Sequence, residues 1–166
     1  MSANFKELMK FSDKIQKLND VQKEEFLQAC AKELAARLLA KVIKRTPVGD
    51  YSGSPYTCVG GQSHKGSKKS GMTGGTLRRG WTAGKNQNAS AYANSLAIKR
   101  SGDKYIIDII NPVEYASYVE YGHRTRNHAG WVQGHYMLTI SETELNNMSD
   151  AILQKKLNKF LKDVCK

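Results

Sequence analysis

Four histidines have the side chains best suited to binding a metal or moving a proton: His64, His123, His128 and His135. A structural zinc site needs about four ligands at suitable spacing. Cys58 is the nearest cysteine, and neither a Cys-x-x-Cys nor a His-x-x-x-His pair occurs. A nuclease of the HNH type needs paired histidines on a hairpin before a ligand-bearing helix, and that order is not evident. We therefore expect no metal and no cofactor, and a metal-dependent nuclease stays a minor hypothesis.

The patterns that support covalent or acid–base catalysis are also missing. No nucleophile-elbow sequence surrounds Cys58 or any of the serines. Carboxylates are few in the central region, and one of them, Glu114, is explained by helix capping. The glycine-rich stretch lacks the Gly-Lys-Ser/Thr ending that a phosphate-binding loop places before a helix. The sequence therefore predicts a protein that is not an enzyme.

The charge of the chain is large and unevenly distributed. Its 166 residues carry a formal net charge of +11, yet residues 51–104 hold nine Lys/Arg and one acid, and the rest is nearly balanced. The length suits one domain with its own core, and three scattered cysteines point to a reducing compartment rather than a disulfide framework. We expect no signal peptide and no membrane contact, because the apolar runs are too short to cross a bilayer.

A basic, glycine-rich loop is predicted at about residues 49–75. Lys65, Lys68 and Lys69 lie in it, and Arg78 and Arg79 follow it. These side chains suit docking to an acidic protein or to phosphates, and a solvated loop is the plain alternative. A basic nucleic-acid-binding module using residues 61–104 is therefore the alternative function. Aromatic residues are sparse there, which is unfavourable for single-strand stacking.

The strongest helix signal covers residues 20–45. Apolar side chains recur every three or four residues there, Asn19 or Asp20 can cap the start, and Thr46-Pro47 ends it. The stripe comprises Leu27, Cys30, Ala31, Leu34, Leu38 and Val42. A weaker helical pattern precedes it at residues 3–18.

The second half predicts a hairpin followed by helices. We expect a short strand around residues 77–83, a second within 90–100, a turn at 101–103 and a central strand at 104–110. A short helix should begin at Asn111-Pro112 and stop at Gly122. Residues 123–134 should form a loop with a short strand at Trp131-Val132. Helical pattern resumes at His135, and Ser149 or Asp150 is expected to cap a separate last helix.

Three tyrosines crowd the short helix that ends at Gly122. Tyr115, Tyr118 and Tyr121 are more aromatic side chains than one core face needs. Because tyrosine is enriched at protein interfaces, some of them are expected to face another subunit.

Two groups of motifs together resemble the head–tail joining and tail-completion family of long-tailed bacteriophages. The first is Thr46-Pro47-Val48-Gly49-Asp50 with the later Gly75-Thr76-Leu77-Arg78-Arg79-Gly80-Trp81. The second is Tyr115-Ala116-Ser117-Tyr118-Val119-Glu120-Tyr121-Gly122 with Gly134-His135-Tyr136-Met137-Leu138. The motifs follow the order and spacing of the family over about residues 20–160. The chain departs from the family pattern where the basic loop splits the first motif and where His123 replaces a threonine.

The resemblance implies an α+β fold, in which an antiparallel β-sheet packs against the long N-terminal helix, with a short helix after the central hairpin and a C-terminal helix. We expect a single domain over residues 1–166 with the basic loop inserted. The resemblance also implies a structural virion protein that forms a ring, commonly of six subunits, at the head–tail junction. Its partners would be the head connector and the tail tube or tail terminator, with transient DNA contact and assembly in the host cytoplasm. The interface residues expected are Tyr118, Glu120, Tyr121, His123 and Arg124.

Overall fold

The computed structural model describes residues 9, 20–51, 55–57, 63–64, 74–85 and 87–164. Five helices are labelled in chain order: α1 (Asp20–Arg45), α2 (Thr76–Gly80), α3 (Ala89–Ser95), α4 (Ala116–Tyr121) and α5 (Met137–Val164). Six short strands pair as antiparallel hairpins: β1 (Tyr56–Thr57) with β2 (Ser63–His64), β3 (Lys99–Ser101) with β4 (Lys104–Ile106), and β5 (Gly122–Arg124) with β6 (Trp131–Gln133). The α+β class is confirmed, with the described strands in separate two-stranded sheets.

Helix α1 begins and ends where the sequence predicts. Its buried face is centred on Ala35, Leu39 and Val42, and the last two are fully buried. Cys30 is also buried as expected, whereas Leu27 is 44% exposed. Burying a leucine or valine side chain stabilises a fold by about 1.5–3 kcal/mol, so this helix supplies much of the core.

Helices α1 and α5 run antiparallel along their length. Glu144 near the start of α5 forms ion pairs with Lys41 and Arg45 near the end of α1. At the other end the rings of Phe26 and Phe160 stack with centroids 4.5 Å apart. The predicted separate last helix is wrong, because α5 continues without interruption through Ser149.

The short strand expected at 77–83 is a helix, α2, followed by a turn. Leu77, Gly80 and Trp81 are buried at a spacing of three and four residues, which is a helical spacing. The strand expected within 90–100 is mostly helix α3. Asn88 caps that helix by accepting a hydrogen bond from the Ala91 amide at 2.7 Å, and Ala93 is buried in the core cluster.

The segment at 104–110 is not a central strand. Strand β4 stops at Ile106, which is 42% exposed, and Ile110 is 70% exposed. Ile107 and Ile109 pack against the core, so one face is buried and the other faces solvent. The turn at 101–103 is confirmed.

The short helix expected from Asn111 begins later, at Ala116. Asn111 instead forms a turn in which its side-chain oxygen accepts a hydrogen bond from the Val113 amide at 3.2 Å. The predicted end is confirmed, since Gly122 follows α4 with φ 86°. The predicted strand at Trp131-Val132 is confirmed as β6.

Candidate functional site

Thr46 joins the two halves of the first motif. Its hydroxyl donates to the Val42 carbonyl at 2.7 Å and accepts from the Trp81 indole nitrogen at 2.8 Å. Its carbonyl oxygen accepts two bonds from the Arg78 guanidinium, at 2.7 and 3.2 Å. Thr46 is fully buried. The end of α1 is therefore fixed to α2 although 32 residues of sequence separate Thr46 from Arg78.

Asn111 fixes α2 to the segment that leads into α4. Its amide nitrogen donates to the Leu77 carbonyl at 3.0 Å. A Cβ at Gly80 would lie 2.2 Å from the Asn111 side-chain oxygen, closer than such atoms approach. The glycine in Arg-Arg-Gly-Trp is thus explained by close packing between two segments.

Helices α4 and α5 cap each other. The Glu120 carboxylate accepts the Leu138 and Thr139 amides at 2.9 Å, at the start of α5. In return, the Val119 and Glu120 carbonyls at the end of α4 accept the His135 and Tyr136 amides. Helix ends leave such groups unpaired, and a carboxylate at an N-terminus also meets the favourable end of the helix dipole.

These contacts bring residues from both motif groups around one hollow of about 300 Å³. We call it the motif hollow. The aromatic side chains on it are solvent-accessible: Tyr115 is 45% exposed and Tyr118 is 59% exposed. The residues that line it are Pro47, Val48, Gly49, Tyr51, Gly75, Leu77, Tyr115, Tyr118, Val119, His123, Val132, Gln133 and His135.

The structure separates the expected interface residues into two groups. Tyr118, Tyr121, His123 and Arg124 are exposed, and the Tyr118 and His123 rings meet edge to face at 5.8 Å. Glu120 is only 5% exposed and is occupied by the start of α5. Glu120 therefore stabilises the structure around the hollow and does not project outwards.

The basic residues proposed for docking are placed unequally. Arg78 is half-buried and bonded to Thr46, so it caps the carbonyl end of α1. Arg79 is exposed and donates to the Gly74 carbonyl at 3.1 Å. Lys65, Lys68 and Lys69 lie outside the described residues. The two arginines are thus not a separate patch of free charge, since Arg78 contacts the backbone of Thr46 in the first motif and Arg79 contacts that of Gly74 next to it.

Sequence reasoning missed several exposed residues beside the hollow. Trp131 is 62% exposed, Val48 47%, Val132 43% and Tyr136 39%. For Trp131, Val132 and Tyr136 the sequence held a signal, because no Asp or Glu occurs between Glu120 and Glu142 although aromatic and basic residues are frequent there. Such a stretch is typical of an interface rather than of a solvated loop.

The described residues contain no group of three or more His, Cys, Asp or Glu placed to hold a metal ion. Among the groups that the structure describes, three with shifted pKa values lie away from the hollow. Burial raises the pKa of the Cys30 thiol, the hydrogen bond to Asp108 raises the pKa of Lys99, and bonds from Lys41 and Arg45 lower the pKa of Glu144. Among the described helices, none has the length and apolar character needed to span a membrane.

Comparison with known families shows a match that covers most of the chain. Residues 9–122 match the family model HK97-gp10_like, described as "Bacteriophage HK97-gp10, putative tail-component". No curated protein and no solved structure matches the chain. The matched range includes the first motif group and the second as far as Gly122, and thus most of the lining of the motif hollow.

Proposed function

The chain belongs to the HK97-gp10-like family of bacteriophage tail components, and on this premise we propose that it is a tail-completion or neck protein joining the tail to the head. It acts by binding and not by catalysis. It works at the head–tail junction of the virion, after assembly in the host cytoplasm. Its partners are copies of itself, the head connector or adaptor, and the tail tube or terminator.

One observation carries this proposal: the family motifs, distant in sequence, line a single accessible hollow. The hollow is shaped by internal hydrogen bonds from three side chains, those of Thr46, Asn111 and Glu120. Tyr118 and Tyr121, each 59% exposed, are left facing outwards. Exposed tyrosines held on a fixed scaffold are typical of the central contacts of protein interfaces.

A ring is the expected assembly, with six copies. Contacts between different surfaces of identical subunits close into a ring when the rotation permits. The inserted loop at 49–75 is rich in glycine and lysine and has little capacity to form a core of its own, so a neighbouring subunit or connector protein is its natural partner.

Phage assembly tests the proposal directly. We expect the double variant Tyr118→Ala/Tyr121→Ala to accumulate filled heads and separate tails, counted by negative-stain microscopy. Ile106→Ala is the matched control, because Ile106 is 42% exposed on the β3–β4 hairpin. Circular dichroism should show that both variants stay folded.

Virion composition and native mass measurement complete the test. The protein should be found in purified virions, and the isolated assembly should have the mass of six chains. A protein absent from virions, or a deletion mutant whose tails still join heads, would contradict the proposed function. A different copy number would correct the ring size alone.

A further inference from the structure

The β5–β6 hairpin carries a tip whose shape is set by its own hydrogen bonds. The Thr125 amide donates to the Gly130 carbonyl at 3.0 Å, and the Gly130 amide returns a bond to the Thr125 hydroxyl at 3.0 Å. That hydroxyl donates to the Asn127 side-chain oxygen at 2.7 Å. The residues between the strands are therefore held in one arrangement before any partner arrives, which lowers the entropy cost of binding.

The tip is positively charged and lacks acids. Arg124 and Arg126 are exposed, and no acid lies between Glu120, which is buried, and Glu142. Some cations elsewhere in the described residues pair with acids of the same chain, as Lys99 pairs with Asp108 at 2.5 Å. Arg124 and Arg126 take part in none of the ion pairs found among the described residues.

An exposed aromatic ring lies on the same face. Arg124 pairs across the hairpin with Trp131, so their side chains project from one side of the two strands. Trp131 is 62% exposed, the largest exposed fraction of any aromatic side chain in the described part of the chain. Tryptophan and arginine are enriched among the interface residues whose truncation to alanine weakens binding most.

We propose that this tip, defined as Arg124, Arg126 and Trp131, binds an acidic segment of a different virion protein. Aspartate or glutamate side chains of that segment pair with the two guanidinium groups, and an apolar side chain beside them packs on the indole. The inference rests on the proposed function, because it names the chemistry of one partner in the head–tail joint.

The charge of the tip favours an acidic protein segment over the two other partners that a basic surface suggests, which are DNA and a second copy of this chain. DNA binding through phosphates strengthens with the number of contacts, and two arginines release few counterions compared with a protein that makes about six to ten such contacts. A second copy of this chain meets its neighbours in the proposed ring through other surfaces, and with a net charge of +11 it matches the basic tip less well than an acidic segment does. An acidic protein segment satisfies both the charges and the indole.

Crosslinking in assembled virions identifies what lies against the tip. Trp131 is replaced by p-benzoylphenylalanine, the particles are irradiated, and crosslinked peptides are read by mass spectrometry. We expect an Asp/Glu-rich peptide from another virion protein. A crosslink to this chain, to DNA or to a segment without acids, or no crosslink, would overturn the inference.

Charge reversal in the same labelled particles separates electrostatic docking from mere proximity. Arg124→Glu/Arg126→Glu should reduce the crosslink yield about tenfold, whereas Arg124→Lys/Arg126→Lys should retain most of it. Lys85→Glu/Lys104→Glu is the matched control, since it makes the same charge change at exposed residues away from the tip. Equal yields in all variants would contradict the proposal.

The two proposals fail in different ways. If the protein is absent from virions, the proposed function fails. If it is incorporated and joins heads to tails, but the crosslink maps elsewhere, only the inference about the hairpin tip fails.

Discussion

The Trp81 indole nitrogen donates a 2.8 Å hydrogen bond to the Thr46 hydroxyl, across 35 residues of sequence. Both side chains are buried, Thr46 completely and Trp81 to 4% exposure. The bond thus ties the residue that follows α1 to the turn after α2. The motif hollow depends on it, because Pro47, Val48 and Leu77 line the hollow next to these two residues.

Thr46→Val should destabilise the protein although it preserves the side-chain volume. It removes the acceptor of a buried indole N–H, and an unpaired buried polar group costs about 1–3 kcal/mol. Chemical denaturation monitored by circular dichroism measures the change in unfolding free energy. Thr143→Val is the control, because that threonine is exposed and bonds only its own helix, so a change within about 0.5 kcal/mol is expected. Equal effects at both sites would contradict the assigned role of Thr46.

Gly122→Ala should cost more stability than Gly84→Ala. Both glycines have positive φ, 86° and 73°, so both substitutions carry a backbone strain of about 1 kcal/mol or more. A Cβ at Gly122 would also lie 2.4 Å from the Val132 carbonyl oxygen, whereas at Gly84 nothing lies within 4 Å. Thermal unfolding of the two variants measures this difference, to which the ψ of 173° at Gly122, a conformation that is essentially limited to glycine, also contributes. If Gly84→Ala were equally damaging, the close approach of Gly122 to Val132 in β6 would not matter.

Prediction from the sequence succeeded for element bounds that depend on a repeated apolar spacing or on a strong stop signal. The bounds of α1 followed from a repeated apolar spacing and from Thr46-Pro47, and the end of α4 followed from Gly122. The short helices α2 and α3 were predicted as strands, because five to seven residues give too few turns for helical periodicity to be distinguished from alternation.

Residues that act through distant contacts were not predictable from local pattern. Glu120 looked like a free interface residue, and nothing in its neighbourhood indicated that the first amides of α5 would fold onto it. Arg78 looked like part of a basic patch until its partner, the carbonyl of Thr46, was located 32 residues away. Only the tertiary structure brings such donors and acceptors together.

The ion pairs of Glu144 predict a loss of stability in acid. Hydrogen bonds from Lys41, and then from Arg45, lower the pKa of the Glu144 carboxyl below its ordinary value. A group with a lowered folded pKa stabilises the protein above its unfolded pKa, and this contribution disappears as pH falls through the folded pKa. Glu144→Gln should therefore unfold at a lower temperature than the wild type near neutral pH, with the difference vanishing in acid below the folded pKa. The effect is small, because the side chains of both ion pairs are partly exposed to solvent.

Glu142→Gln is the control for this pH dependence, since Glu142 is exposed on the same helix. Melting temperatures measured at several pH values from about 7 down to about 3 should show no such convergence for that variant. A Glu144→Gln curve parallel to the wild-type curve throughout would show that the two ion pairs contribute nothing to folding.

Glu120→Gln should weaken both the fold and the motif hollow. The carboxylate accepts three hydrogen bonds at the start of α5, two from amides and one from the Thr139 hydroxyl at 2.8 Å. In glutamine, an N–H₂ group replaces one of the two carboxylate oxygens and cannot accept a hydrogen bond from these donors. The substitution also removes the negative charge that interacts favourably with the dipole of α5. We expect a loss of about 1–3 kcal/mol in unfolding free energy. Hydrogen exchange should also accelerate at the Leu138 and Thr139 amides before global unfolding, whereas Glu142→Gln leaves it unchanged. Unaltered protection of these two amides in Glu120→Gln would mean that the carboxylate does not cap α5.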